Sequence, residues 1–380
     1  RDGARPDGAL DRLRVEFAGL PIDLNAYYNV LMTLGVGGYR DQQLAEAGAV
    51  DYGDDHFTCF QFSYDWRRDN VENARRLHAF LLDRRAYVKA EIERRFGVRD
   101  APVKFDLIAH SMGGLVARYL LRYGDADLPD EGPVPAPTWA GAQLVERAVL
   151  IGTPNAGSVK SLFQLVEGAT FSSILPSYSP AVLGTMPAVY QLLPRDRHAP
   201  LVDGAGAPIT GLLDPALWER MGWGLAAPDQ ADVLAELLPG VADPAERRRI
   251  ALDHLPKSLA RARRFQEALD QPSAPPPDTE LFLVAGDAIE TQAVAAADPT
   301  TGHLWDVGRT AGDGTVTRAS ALLDERPSGP WTGPLVSPIA WSQVTFLFSD
   351  HLGLTEDPAF TDNVLFLLLE DPRRRGAAGR

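Results

Sequence analysis

The chain has 380 residues, a formal net charge of −14 at pH 7 and one cysteine, Cys59. This length fits one large α/β domain with an insertion, or two domains, and the composition is typical of a soluble globular protein. The acidic charge and the lack of a dense Lys/Arg cluster disfavour nucleic-acid binding. A single cysteine excludes an intramolecular disulfide framework and a Cys-rich metal site.

No apolar run in the sequence reaches transmembrane length, and no signal peptide is visible. The first residue is Arg1 rather than Met, so we expect that an N-terminal piece is processed away or left out. The sequence therefore leaves the cellular compartment undetermined, with only a weak preference for the cytoplasm.

Short apolar segments alternate with amphipathic helices in the first part of the chain. Strands are predicted at residues 57–62, 103–109 and Val145–Ile151. Asp69, followed by Glu72, is a typical start for a long helix that Gly97 would end. This βαβ order predicts an α/β fold with a mostly parallel sheet flanked by helices.

The alternation stops between residues 158 and 277, where helical segments alternate with Pro-rich breaks. Residues 281–285 then restore a strand, a long loop follows, and residues 344–348 form a last strand. We therefore expect a core made of residues 1–157 and 278–380, with a largely helical cap at 158–277. A lid role is favoured because the insertion leaves the sheet near the strand ends where α/β proteins bind ligands. The alternative is a subdomain without a role in binding.

Ser111 lies between the strand at 103–109 and a predicted helix, with the small residues Ala109 and Gly113 two positions on either side. Such a tight strand-to-helix turn places a serine hydroxyl at a helix start, where free N–H groups favour a developing oxyanion. The alternative is a serine N-cap on an ordinary turn. The spacing favours a catalytic nucleophile.

A serine hydroxyl needs a base to take its proton and an acid to orient that base, in the chain order Ser, acid, His. Asp313 follows the restored strand between two glycines, although an Asp-Gly turn without catalytic function is the alternative. Asp287 is a competing acid and Asp306 a weaker one. His351 follows the last strand, where the chain order expects the base.

The other histidines fit less well. His303 precedes Asp313, His198 and His254 lie in the insertion, and His110 is too close to Ser111 to turn back easily toward its hydroxyl. No ligand spacing predicts a metal site, and no cofactor is expected.

The oxyanion hole should use the backbone N–H of Met112, the residue after the candidate nucleophile. A second N–H should come from an early loop, but no suitable loop is recognisable before residue 60.

Five motifs in this order resemble the lecithin:cholesterol acyltransferase family of α/β-hydrolases, in a bacterial-type lipase or esterase form. They are Tyr64-Asp65-Trp66-Arg67, Ala109-His110-Ser111-Met112-Gly113-Gly114-Leu115, Gly152-Thr153-Pro154, Gly312-Asp313-Gly314-Thr315-Val316 and His351-Leu352. The resemblance implies the α/β-hydrolase fold, acyl-lipid or ester substrates, and a triad of Ser111, Asp313 and His351. It also implies a place for Trp66 near the acyl site, with a packing role as the alternative. The family's first strand and Pro-Gly oxyanion loop would then lie upstream of Arg1.

These observations predict a serine hydrolase that cleaves carboxylic esters, of lipids above all, through an acyl-enzyme. Water or an acceptor alcohol would resolve that intermediate, and transient contact with a lipid surface is compatible with such substrates. One alternative is a non-catalytic scaffold that binds lipid or protein through the insertion. Another is an amidase or peptidase that uses the same three residues. The oligomeric state is not predicted.

Overall fold

The computed structural model describes residues 12–17, 20–25, 28–54, 56–170, 177–326 and 333–373, so the first eleven residues of the predicted core lie outside it. The strands are β1 (Arg12–Phe17), β2 (Leu20–Asn25), β3 (Phe105–His110), β4 (Val145–Ile151), β5 (Leu201–Asp203), β6 (Glu280–Gly286), β7 (Ile289–Ala297), β8 (Leu304–Gly312) and β9 (Gln343–Leu347).

Helices alternate with loops in the described sequence between these strands. They are α1 (Tyr28–Val36), α2 (Gln42–Glu46), α3 (Asn70–Phe96), α4 (Met112–Tyr123), α5 (Val159–Glu167), α6 (Pro180–Gly184), α7 (Pro187–Gln191), α8 (Pro215–Met221), α9 (Ala231–Leu237), α10 (Pro244–Asp270), α11 (Arg318–Leu322) and α12 (Pro358–Leu365). Within the described residues, none is both long and apolar enough to cross a membrane.

The main sheet is parallel, with the strand order β3-β4-β6-β9. Helix α4 connects β3 to β4, as expected of a parallel crossover. A second sheet has the order β5-β7-β8, and β7 and β8 form an antiparallel hairpin. The predicted α/β-hydrolase fold, a mostly parallel sheet flanked by helices with a helical region, is confirmed.

Helix α3 shows how local sequence sets the boundaries of an element. The Asp69 carboxylate accepts a hydrogen bond from the N–H of Val71, and Gly97 ends the helix at φ 68°. Most side chains are penalised at positive φ, so glycine is the residue suited to this end. The helix face that includes Leu77 and Leu81 is buried in a hydrophobic cluster that also contains side chains of α4 and β4. Burying each of these leucines stabilises the fold by about 2 kcal/mol.

The strand predicted at residues 57–62 is wrong. In the described chain Cys59 pairs with Asp41 only through an isolated bridge. The aromatic residues of this segment pack through their rings, Phe60 against Phe105 and Phe62 against Phe80. Apolar burial without a backbone ladder gives the same sequence pattern as a short strand.

The long loop predicted after β6 is also wrong, because it contains the β7–β8 hairpin. The Ala-rich end of β7 and Gly308 of β8 lack the alternation that marks a strand, and the pairing shifts register beside Val294. Near the start of the chain, Asn25 ends β2 and the first helix begins at Tyr28.

The described residues form four hydrophobic clusters, of which two are large. One covers the sheet and includes Leu115 and Leu150, while the other lies among residues 159–304 and includes Trp218 and Trp223. Helix α10 contributes to both, since its earlier turns join the second cluster and its last turns join the first. The division into core and cap remains a prediction, as does the lid role.

Candidate active site

Ser111 stands alone between β3 and α4 in a strained backbone conformation, with φ 53° and ψ −126°. Its N–H donates to the carbonyl of Ile151 at 2.7 Å, which anchors the turn to β4. Its side chain makes no capping hydrogen bond to α4. The Ser111 hydroxyl therefore does not cap α4, as the hydroxyl of an ordinary N-cap serine would.

Close packing beside the turn falls at Gly114. A Cβ on Gly113 would lie 3.6 Å from the Tyr64 hydroxyl, an ordinary contact. A Cβ on Gly114 would lie 1.9 Å from the Thr153 hydroxyl oxygen, which leaves no room for a side chain.

Asp313 is almost completely buried just after β8. Its Oδ1 accepts hydrogen bonds from the N–H groups of Thr315 at 2.9 Å and Val316 at 2.7 Å. The N–H of Gly314 donates to the hydroxyl of Thr291 on β7, which ties the turn to the hairpin. These contacts fix the carboxylate and leave Oδ2 directed at His351.

His351 follows β9 and joins the other two residues. Its Nδ1 lies 2.8 Å from Asp313 Oδ2, and its Nε2 lies 2.9 Å from Ser111 Oγ. Its backbone N–H donates to the Asp313 carbonyl at 2.9 Å. A proton on Nδ1 would be held by the carboxylate, which leaves Nε2 to accept the serine proton.

Two glycines give this arrangement its space, and one of them begins the Gly152-Thr153-Pro154 motif. Gly152 has φ 54°, and a Cβ there would lie 3.2 Å from both Asp313 Oδ2 and His351 Cε1. A Cβ on Gly286, the last residue of β6, would lie 2.6 Å from the Cβ of Asp313. Although Asp313 comes after a hairpin in the other sheet, it therefore packs against the end of β6.

The competing acids have other partners. Asp287 pairs with Arg318 at 3.5 Å, and Asp306 pairs with Arg309 at 2.7 Å. Each is thus engaged in an ion pair that does not involve the base.

The insertion histidines also have other contacts. His198 lies 3.1 Å from Glu325, and His254 lies 3.1 Å from the Ser258 hydroxyl. His303 stacks on Trp305. His110 is different, because its Nε2 contacts the backbone oxygen of His351 at 2.8 Å.

The structure also describes the two other residues that the sequence predicts to act in the site, Met112 and Trp66. Met112 is the first residue of α4, where a backbone N–H has no acceptor within the helix. Trp66 is 40% exposed on the segment before α3. The oxyanion role of Met112 and the acyl-binding role of Trp66 stay predictions. In the part of the chain that the structure describes, no group of three or more His, Cys, Asp or Glu side chains could hold a metal ion.

Residues 42–222 match the family model described as lecithin:cholesterol acyltransferase. The match spans just under half of the chain and shows a similarity to this family over that stretch. The matched stretch contains Ser111, whereas Asp313 and His351 lie beyond its end. This similarity supports, in general terms, a hydrolase that hydrolyses or transfers the acyl groups of lipid esters.

No curated protein matches the chain. Among solved structures, one titled "The crystal structure of Tle4-Tli4 complex" is similar, with a TM-score of 0.49 and 16% sequence identity. The match covers 81% of this chain and 68% of that one.

Proposed function

We propose that this protein cleaves carboxylic esters of lipids through an acyl-enzyme on Ser111. The supporting observation is the continuous set of hydrogen bonds from Asp313 through His351 to Ser111, at 2.8 Å and 2.9 Å. A hydroxyl in contact with an oriented imidazole can lose its proton as it attacks a carbonyl carbon.

In the first half-reaction, His351 Nε2 accepts the Ser111 proton while Oγ bonds to the carbonyl carbon of the ester. The carbonyl oxygen becomes an oxyanion, and we assign its stabilisation to the N–H of Met112, the first residue of α4. The C–O bond of the ester then breaks, and His351 returns the proton to the leaving alcohol. Asp313 stays ionised and stabilises the imidazolium.

In the second half-reaction, a water or an alcohol gives its proton to His351 and attacks the acyl carbon. The bond to Ser111 Oγ breaks, and His351 returns the proton to the serine. Water yields a free fatty acid, whereas an alcohol yields a new ester. The outcome depends on how well the site excludes water, which is the role proposed for the insertion at 158–277.

Labelling with a fluorophosphonate tests the proposal, together with turnover of p-nitrophenyl butyrate, octanoate and palmitate. The unmodified protein should be labelled and should turn over at least one of these esters, and Ser111→Ala should lose both activities. Ser258→Ala is a matched control because Ser258 also contacts a histidine, His254. That variant should keep both activities.

Three results would contradict the proposal. A well-folded unmodified protein that is not labelled would support the non-catalytic scaffold. Labelling with amide turnover but no ester turnover would support an amidase. Equal labelling of the Ser111→Ala variant would place the nucleophile elsewhere.

Hydrolysis and acyl transfer are distinguished by their products. With an acyl ester and an added long-chain alcohol, a transferase forms a new ester and a hydrolase releases fatty acid. The ratio of the two products measures how the acyl-enzyme divides between water and alcohol.

A further inference from the structure

His110 makes a contact that the proposed reaction does not use. It is the last residue of β3, paired in the sheet with Ile151, and it directly precedes Ser111. Its Nε2 lies 2.8 Å from the backbone oxygen of His351. A carbonyl oxygen can only accept, so this nitrogen carries the proton and donates.

The backbone of His351 is consequently held on both sides. Its N–H donates to the Asp313 carbonyl at 2.9 Å, and its carbonyl accepts from His110 at 2.8 Å. The first bond fixes the base relative to the acid. The second fixes the base relative to the strand that carries the nucleophile.

The two imidazole rings also lie against each other, with centroids 4.7 Å apart. Burial, assisted by the neighbouring His351, lowers the pKa of His110 to about 4. Near neutral pH the ring of His110 is therefore uncharged. It can lie beside His351 without opposing the positive charge that the base acquires when it takes the serine proton.

We propose that His110 is a positioning residue, whose ring holds the carbonyl of His351 and so maintains the distance between the His351 imidazole and the Ser111 hydroxyl. This inference rests on the proposed function, because it assigns His110 to the same reaction. His110 acts through its bond to the backbone oxygen of His351. A displacement of the imidazole by even 1 Å is enough to slow proton transfer greatly.

The test compares His110→Phe with His110→Gln. Phenylalanine keeps a planar ring but has no donor, whereas glutamine can place an N–H near the position of Nε2. We expect His110→Phe to lower kcat for p-nitrophenyl butyrate roughly tenfold to a hundredfold, with little change in KM. We expect His110→Gln to restore most of that loss.

Val145→Ala controls for a loss of stability. Val145 is fully buried at the start of β4, at the opposite end of that strand from Ser111. This variant should lower the Tm without lowering kcat measured well below the Tm. The inference would be contradicted if His110→Phe and His110→Gln lost kcat equally, in proportion to the decrease in their Tm. Full activity of His110→Phe would contradict it as well.

A readout without substrate separates this inference from the proposed function. A His351 Nδ1 proton bonded to Asp313 should give a low-field proton resonance, identified by its loss in Asp313→Asn. We expect His110→Phe to broaden or shift this resonance and His110→Gln to keep it. If the unmodified protein turned over no ester but the resonance responded to the two His110 variants as expected, the proposed function would be contradicted and the positioning role would be supported. An unchanged resonance in His110→Phe would contradict the positioning role alone.

Discussion

Gly152 illustrates, at the scale of single residues, how the site depends on space as well as on reactive groups. A side chain there would contact Leu354 Cδ1 at 3.0 Å in addition to the acid and the base. Because φ is 54°, any substitution also carries backbone strain. The residue thus affects the stability of the fold and the geometry of the base at the same time.

We expect Gly152→Ala to lose about 1–2 kcal/mol of stability and most of its ester turnover, because the new methyl group would displace the imidazole. Gly97→Ala is the control, since Gly97 has φ 68° and open space around it. It should show a similar decrease in the free energy of unfolding and normal kcat. Urea unfolding and p-nitrophenyl ester kinetics measure both quantities. Equal turnover in the two variants would contradict the expected crowding.

The identity of the acid is tested by Asp313→Asn against Asp287→Asn. An asparagine at 313 would favour the wrong histidine tautomer, so we expect turnover to fall by roughly 10⁴-fold. Asparagine at 287 only breaks the ion pair with Arg318 and should leave turnover near normal. A larger loss in Asp287→Asn would reverse the assignment.

Sequence reasoning placed Ser111, Asp313 and His351 because chain order and neighbouring small residues are visible in one dimension. The structure brings those three side chains together, while their catalytic roles remain proposed. His110 was considered only as a rival base, so its bond to the His351 carbonyl was missed. The spatial need for Gly152 and Gly286 was missed too, because positive φ and contacts across the sheet leave no local signal.

Helix α10 is the most informative single element. Its last residue, Asp270, accepts from Arg195 at 2.9 Å and from Arg197 at 2.8 Å. Burial alone would raise the pKa of the Asp270 carboxyl, but the two arginines outweigh it and keep the pKa below its ordinary value of 3.8. The ion pairs therefore link the end of α10 to the segment after α7.

We expect Asp270→Asn to cost about 3 kcal/mol near neutral pH, because it leaves a buried guanidinium without its partner. A carboxyl with a lowered pKa stabilises the fold fully above its unfolded pKa, and that contribution is lost as the pH falls through the folded pKa. The gap in unfolding free energy between the variant and the unmodified protein should stay constant from pH 5 to pH 8. It should shrink as the pH falls below about 4.

Asp253→Asn is the control on the same helix, because its ion pair with Lys257 is exposed. It should change stability little at any of these pH values. Chemical denaturation at a series of pH values measures both variants. A gap for Asp270→Asn that widens in acid would contradict the assigned sign.

Among the elements, helices with clear ends were easiest to predict. Asp69 and Gly97 define α3 locally, since each acts within one turn of the helix. Strand pairing depends on residues far away in sequence, so the ring packing of residues 57–62 was mistaken for a strand. The β7–β8 hairpin was missed because its pairing tolerates alanines and a glycine that a short amphipathic pattern would not contain.

At the scale of the whole molecule, α10 joins the two large hydrophobic clusters, with Leu255 in one and Phe265 in the other. A rigid helix that supplies buried side chains to both should couple their unfolding. Removal of buried atoms from either cluster should then destabilise the whole chain rather than one half.

We expect Leu255→Ala and Leu150→Ala each to cost about 3 kcal/mol, because both side chains are fully buried in their clusters. Each should lower the protection of amide protons equally in α5 and in β4. Leu82→Ala is the control, since Leu82 is 40% exposed, and it should have a smaller effect. Loss of protection in α5 alone in Leu255→Ala would show that the clusters unfold independently.

The position of β9 at the end of the main sheet has a consequence for heat resistance. In the described chain this strand pairs only with β6, and the loop that carries His351 follows it directly. A strand held on one side opens at a lower free-energy cost than a central one. As the temperature rises, the base should therefore leave the serine while most of the sheet is still folded. The protein would then be inactivated reversibly at a temperature below its melting point. Strengthening the β6–β9 pairing would extend the temperature range of activity without any change to the reacting residues.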